Sequence, residues 1–270
     1  MGSGRIFRVS LNAFVALVFV FLVTPMFVIV PLSFTSVSVL IYPLPGLSLR
    51  WYWDFFNNPL WTQAIRNSLL LGVTVSLLAT ALGTAAALGL TASRSRFKPL
   101  IFALLVSPLV VPVVITAVAA FYFFSALGIA GSFAGLVLGH TILATPFVIV
   151  TVSATMQGFD RNLIRAAASL GAPPLLVLQR VIAPLVWPGL MSGALFAFAT
   201  SFDELVMALF LASPELRTLP RQIFSGVSES ISPTIAAAAV VLVVVSTGLM
   251  LAVELLRRRA EGLTAQASTS

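Results

Sequence analysis

Long apolar runs separated by short polar connections dominate the chain. Runs of about 20 or more apolar residues can cross a hydrocarbon core of roughly 30 Å as helices, and these runs lack the strict alternation of barrel strands. The pattern predicts an all-α membrane protein with one transmembrane domain over residues 1–270 and a disordered tail at 260–270. The six predicted spans cover residues 11–32, 64–92, 100–127, 135–156, 187–211 and 234–256.

Composition supports this interpretation. Hydrophobic residues make up 59% of the chain, charged residues make up 9%, and the mean hydropathy is +1.09. In soluble proteins roughly a quarter of all residues are charged, so this composition excludes a soluble enzyme or binding module. Arg5 and Arg8 precede the first run as in a signal peptide, but the run is too long for a cleaved segment and no A-x-A site follows it. We therefore expect an uncleaved first span.

The net charge of +7 is distributed in a way that indicates topology and not a nucleic-acid partner. Basic residues lie in the short connections, where an excess on one side marks the cytoplasm. Six spans place both termini on one side, and we expect that side to be cytoplasmic because it holds eleven of the fifteen basic residues. These are Arg5, Arg8, Arg94, Arg96, Lys98, Arg161, Arg165, Arg180, Arg257, Arg258 and Arg259, against Arg50, Arg66, Arg217 and Arg221 on the other side.

The segment 158–184 interrupts the apolar pattern between the fourth and fifth spans. Asp160 is a suitable N-cap for a helix that runs from Arg161 to residue 170, and Gly171 suits the left-handed position that follows a helix. Two prolines then prevent its continuation, and a second short helix is expected before Pro184 stops it. The segment therefore predicts a helix, a tight turn and another helix outside the bilayer.

The first of these helices has little side-chain volume. Ala166, Ala167 and Ala168 follow Arg165, so another protein's backbone could approach closely. A helix of about ten residues is marginal alone in water, which favours docking in a partner groove. The alternative is a solvated connector whose alanines reflect helix propensity alone.

The same residues resemble a known motif. Ala166-Ala167, Gly171 four positions after Ala167, and Val181-Ile182-Ala183-Pro184 after nine more residues resemble the EAA signature of ABC importer permeases, E-A-A-x3-G-x9-I-x-L-P. The resemblance extends from Asn67-Ser68 to the SFDELVMALFLASPELRTLP block, which looks like permeases of the spermidine/putrescine branch.

The resemblance implies a type I importer permease fold in the bacterial inner membrane and a coupling helix that docks on a cytoplasmic ATPase. Two ATPase subunits, which bind the ATP and Mg, a second permease subunit, a periplasmic substrate-binding protein and membrane lipid are the implied partners, with no nucleic acid. Asp160, Arg161, Arg165, Ala166, Ala167, Gly171 and Pro184 would form the coupling site. Arg165 replaces the glutamate of the motif and Ala183 replaces its leucine, so the contact with the ATPase differs in charge.

Two acids, Asp203 and Glu204, lie inside the predicted fifth span. Each costs about 2.5–3.5 kcal/mol at a helix centre on insertion scales, so they are expected to face protein or water. Helical spacing places them on or beside a stripe that would line a pathway for a cation, with Phe196 adding cation–π attraction. The alternative is a structural pair bonded to a neighbouring helix, to Arg217 or to Arg221. The predicted stripe consists of Ser192, Phe196, Thr200, Asp203 and Met207, with Glu204 beside it.

His140 is the single histidine, and it either contacts the pathway or is hydrogen-bonded within the bundle. Pro108, Pro112 and Pro146 are expected to kink helices around a cavity. The chain contains no G-x-x-x-x-G-K-[ST], H-E-x-x-H or G-x-S-x-G and no cysteine, so no catalytic residue, metal site or cofactor is expected in this chain.

We therefore expect a non-enzymatic permease subunit of an ATP-driven ABC importer that forms the pathway for a small organic cation such as a polyamine. Two alternatives remain at this point. The solute could be another amino-group-bearing compound, opine-like or aminophosphonate-like. The protein could also be a secondary transporter that uses Asp203 and Glu204 as an ion site.

Overall fold

The computed structural model describes residues 2–157, 162–229 and 231–267, and these residues are nearly all helical. Its one β feature there is an isolated bridge between Thr35 and Leu47. The helices are α1 (Gly2–Leu32), α2 (Arg50–Asn57), α3 (Pro59–Ala92), α4 (Lys98–Val106), α5 (Val113–Ala126), α6 (Phe133–Gln157), α7 (Asn162–Ser169), α8 (Pro174–Val177), α9 (Ala183–Phe202), α10 (Val206–Leu211), α11 (Leu219–Glu229) and α12 (Pro233–Ala267).

Five helical runs in the described residues are long and apolar enough to cross a membrane. They are Phe7–Leu32, Pro59–Ala92, Phe133–Gln157, Pro174–Phe202 and Pro233–Leu255. A sixth span exists if α4 and α5, with the short 3₁₀ turn Ser107–Leu109 between them, count as one bent element. The all-α prediction is confirmed. Helix α12 continues to Ala267, into the tail that the sequence predicted to be disordered.

The predicted third span is sharply bent and not continuous. The two helical pieces Lys98–Leu109 and Val113–Ala126 meet at 97°. Pro108 lies in the 3₁₀ turn and Pro112 directly precedes α5, where proline removes a backbone donor and blocks the preceding turn. The expected kink at these prolines is therefore present.

One compact unit consists of residues 1–62 and 223–244. Within it, Trp51 Nε1 donates to the carbonyl of Thr35 at 2.7 Å, and the hydroxyls of Tyr52 and Ser33 are 2.7 Å apart. Thr234 Oγ1 donates to Asp54 Oδ2 at 2.9 Å, which places a carboxylate beside the first turn of α12. This carboxylate suits the positive end of the α12 dipole.

The second unit consists of residues 63–222 and 245–270, and α6 packing on α9 forms its centre. Gly189 and Gly193 of α9 bring the two backbones together, since a Cβ on Gly193 would lie 2.7 Å from Thr151 Oγ1 and 3.1 Å from Val148 Cα. The two glycines have the small-xxx-small spacing of closely packed membrane helices. Such helices associate through van der Waals packing, because the hydrophobic effect does not drive association within lipid. The surrounding core includes Val148, Val152 and Ala197, all fully buried.

The helix–turn–helix predicted at 158–184 is present in part, and its predicted end is wrong. Helix α7 ends at Ser169, and α8 begins at Pro174. Pro184 does not stop the second helix, because a π-helical turn, Leu178–Ile182, connects α8 directly to α9. Pro184 has no backbone N–H to donate, and the wider π-helical turn before it lets the helix continue past this missing donor.

The contact between α6 and α9 gives a stability prediction. Replacing Gly193 with alanine forces a methyl group against Thr151 and Val148, and overpacking of this kind costs about 1–3 kcal/mol. Gly248→Ala is the matched control, since a Cβ on Gly248 meets nothing within 4 Å. We expect thermal unfolding of the purified protein in detergent to shift downward for Gly193→Ala and not for Gly248→Ala. Equal midpoints would show that α6 and α9 separate freely at this contact.

Candidate functional site

A break in the predicted fifth span separates the helical run ending at Phe202 from α10. Asp203, Glu204 and Leu205 form this break, and α10 begins at Val206. The N–H of Asp203 still donates to the carbonyl of Ala199 at 3.1 Å, so Asp203 completes the last turn of α9. The two acids therefore lie at the junction of two helices and not within one continuous helix.

Glu204 caps α10. Its Oε1 accepts the backbone N–H of Met207 at 2.9 Å, which satisfies one of the donors that a helix N-terminus leaves unpaired. A carboxylate at that end also meets the positive end of the α10 dipole. This local bond explains why an acid follows the break.

Asp203 has a different environment. Its side chain is exposed, and the described residues provide it with no hydrogen-bond or ion-pair partner. It lies at the C-terminal end of α9, where the helix dipole is negative. The Asp203 carboxylate is therefore accessible to a molecule that lies beside the break.

The predicted stripe is accessible over only part of its length. Phe196, Thr200 and Asp203 are all at least partly accessible, and the ring of Phe196 stacks on Phe147 at 5.9 Å. Met207 is fully buried, because the break turns α10 toward α6, where a Cβ on Gly139 would lie 3.1 Å from Met207 Cγ. Ser192 is also buried, so the accessible part of the stripe is Phe196, Thr200 and Asp203.

His140 joins α6 to the end of α9. Its Nδ1 lies 3.1 Å from Ser201 Oγ, two residues before Asp203, and 1% of the residue is exposed. Its Nε2 is buried without a partner among the described residues. The described structure places His140 in the packed interior and not on an accessible pathway surface. It fixes the last turn of α9, from which Asp203 extends.

The proposed partners of the acids, Arg217 and Arg221, bond elsewhere. Arg221 Nη1 donates to the carbonyls of Ala212 and Ser213, and Arg217 Nη1 lies 3.5 Å from Gln222 Oε1. Both arginines therefore organise the loop between α10 and α11. Within the described residues, neither forms an ion pair with Asp203 or Glu204.

Sequence reasoning missed the residues that hold this loop on α3. Gln63 and Asn67 both donate to the carbonyl of Glu215 at 2.9 Å, and Ser68 Oγ accepts the N–H of Leu219 at 2.7 Å. The available signal was the i, i+4 spacing of the two amides at the start of a span. Hydrogen bonds from its own backbone N–H and from the Ser213 hydroxyl lower the pKa of Glu215, whose side chain points outward.

The predicted coupling residues lie in and beside α7. Gly171 has φ +80°, and the N–H of Ala172 donates to the carbonyl of Ala167 at 3.1 Å, which is the expected left-handed helix end. Arg165 and Ala166 are exposed, Ala167 is partly exposed, and α7 has no buried residue. Asp160 and Arg161, the predicted start of this helix, lie outside the described residues.

The described part of the chain contains no group of three or more His, Asp or Glu side chains placed to hold a metal ion.

Two curated relatives resemble the chain over most of its length. The spermidine/putrescine transport system permease protein PotC of Escherichia coli K12 is 31% identical over 255 residues, which cover 94% of this chain and 95% of the relative. The putrescine transport system permease protein PotI of the same strain is 34% identical over 231 residues, covering 83% and 82%.

A solved structure shares the fold. The bacterial alginate ABC transporter, solved in complex with an alginate pentasaccharide-bound periplasmic protein, contains a chain that matches with a TM-score of 0.72 at 15% identity, covering 94% of both chains. Residues 79–262 match the family described as the inner membrane component of binding-protein-dependent transport systems. The chain therefore belongs to this family of inner membrane transport permeases.

Proposed function

We propose that the chain forms the translocation pathway for a small organic cation, such as a polyamine, in an ATP-driven importer. The observation that carries the proposal is the free carboxylate of Asp203 at the break between α9 and α10. Discontinuous membrane helices commonly form the substrate sites of transporters, and the C-terminal ends of half-helices favour cations. The names of the PotC and PotI relatives support the same solute class.

We assign a separate role to each pathway residue. Asp203 supplies charge, Thr200 supplies a hydroxyl one turn earlier, and Phe196 supplies an aromatic face that can attract an ammonium group. A polyamine carries ammonium groups on a flexible methylene chain, so it can engage both the acid and the ring. Glu204 maintains the start of α10 and does not contact the solute. Family membership removes the alternative of a secondary transporter.

Energy would enter at α7. Exposed small residues and a sharp glycine end leave this helix free to fit a groove, and α7 packs on α8 and the π-helical turn. We assign it as the coupling helix for two cytoplasmic ATPase subunits, which hold the ATP and Mg. A second permease subunit and a periplasmic binding protein complete the proposed assembly.

The coupling role predicts the effect of a change at Gly171. Gly171→Val places a β-branched residue at φ +80°, a conformation that costs roughly 1–2 kcal/mol per residue. Gly128→Val is the matched control, because Gly128 has φ +71° and open space around it but lies outside 158–184. We expect transport and solute-stimulated ATP hydrolysis to fall for Gly171→Val alone. Normal stimulated hydrolysis in an assembled Gly171→Val complex would contradict docking by α7.

The orientation can be tested by cysteine labelling, since the chain has no native cysteine. Pro45 and Ser95 are both exposed, in connections on opposite sides of the predicted topology. An impermeant maleimide applied to intact cells with a permeabilised outer membrane should label Pro45→Cys and not Ser95→Cys, whereas both should react after lysis. Labelling of Ser95→Cys alone would reverse the orientation.

The two acids should differ in transport. Asp203→Asn keeps shape and removes the free charge, so we expect putrescine uptake to fall more than tenfold, or about 1.4 kcal/mol of transition-state stabilisation. Glu204→Gln retains an oxygen acceptor for the N–H of Met207, so uptake should change less. Uptake is measured in cells together with the amount of assembled complex. Normal uptake by Asp203→Asn would remove this residue from the pathway.

A further inference from the structure

A cavity of about 460 Å³ opens where α3, α4 and α6 meet, at the opposite end of α6 from its first turn. Its polar lining consists of Thr91, Lys98, Ser153 and Gln157, and Leu90 and Phe102 contribute apolar walls. The volume lies within the range of roughly 300–1,000 Å³ that small-ligand pockets occupy.

One cation lines this cavity, and two more precede it in the adjoining loop. The loop between α3 and α4 carries Arg94 and Arg96, both exposed, and ends at Lys98 in the cavity wall. In the ranges that the structure describes, none of the three cations has a carboxylate partner, while Arg258 pairs with Glu254 at 2.7 Å. Lys98 is therefore available at the cavity wall to pair with a bound anion.

The surface next to the cavity is apolar. Helix α4 has no buried residue, and Leu100 and Leu104 on it are 67% and 71% exposed. The exposed ring of Phe97 lies 4.8 Å below the Arg96 guanidinium, an arrangement suited to the boundary between headgroups and hydrocarbon. An anion with long apolar tails fits these surfaces better than a fully hydrated anion does.

We propose that this cavity binds the phosphate headgroup of an anionic phospholipid, with its acyl chains lying along α4. Lys98 contacts the phosphate, and Ser153 and Gln157 donate hydrogen bonds to the phosphate and glycerol oxygens. Basic pockets between membrane helices are suited to such headgroups. The site lies outside the proposed solute pathway and does not depend on which solute is carried.

Lipid retention tests the site directly. The full chain is purified with its co-expressed partner subunits in mild detergent, and retained phospholipid is quantified by native mass spectrometry. Lys98→Gln removes the charge, and Ser153→Leu fills the cavity without changing charge. Arg180→Gln is the matched control, since Arg180 is exposed and does not line the cavity. We expect Lys98→Gln to retain about tenfold less anionic lipid, because it loses one charge-assisted contact. Ser153→Leu should show a similar fall because its side chain occupies the space of the headgroup, and the control should show no change.

A second measurement identifies the source of the phosphate. The wild-type complex in phosphatidylcholine nanodiscs receives either phosphatidylglycerol or inorganic phosphate, and the thermal midpoint is recorded. We expect phosphatidylglycerol to raise the midpoint of the wild type and not of Lys98→Gln. A rise with inorganic phosphate alone would identify a soluble-anion site and overturn the lipid assignment.

Two other outcomes would also overturn it. Equal lipid retention in Lys98→Gln, Ser153→Leu and the wild type would mean that the lipid is a general surface layer. Loss of an ATPase subunit from Lys98→Gln with unchanged lipid would mean that the cations serve a protein interface. Neither outcome bears on the coupling and uptake experiments, which use different residues.

Discussion

Backbone polar groups within a membrane depend on partners inside the protein, because hydrocarbon offers no water to replace them. The chain interrupts two of its predicted spans and supplies a partner at each interruption. Glu204 accepts the N–H of Met207 where α9 gives way to α10. At the bend between α4 and α5, the carbonyl of Ser107 accepts the N–H groups of Val110 and Val111 at 2.9 and 3.0 Å. Both breaks are therefore ordered local structures that are held by their own hydrogen bonds.

This requirement separates two acids that look equivalent in the sequence. The Glu204 carboxylate accepts the hydrogen bond that caps α10. The Asp203 carboxylate lies at the negative end of α9 and has no partner among the described residues. Two like charges in succession would repel, but the Met207 N–H and the dipole of α10 stabilise the charge on Glu204. Asp203 receives no such compensation from the described residues, so a cationic solute is the simplest partner for it. In the proposed function, this unpaired charge selects for a cationic solute.

Periodicity was sufficient for most of the fold and insufficient for the site. The apolar runs, the prolines at 108 and 112 and the left-handed Gly171 each act through local rules, so the sequence predicts them directly. The burial of Met207 depends on the direction that the chain takes after Asp203. The periodicity of a continuous helix gives no information about that direction. The loop contacts of Gln63 and Asn67 likewise join residues about 150 positions apart.

Pro184 illustrates how a locally correct rule can mislead about function. Proline removes a backbone donor, which predicts a helix end, yet the π-helical turn before it keeps the run from Pro174 to Phe202 helical over 29 residues. At about 1.5 Å per residue, this run is about 43 Å long. One end packs against α7, and the other carries Asp203, with Gly189 and Gly193 holding α9 closely on α6 between them. In the proposed mechanism, a displacement of α7 would be transmitted along this single helical run to the Asp203 carboxylate. A true stop at Pro184 would have placed a flexible joint in that connection, so the π-helical turn preserves the mechanical link that the proposed coupling requires.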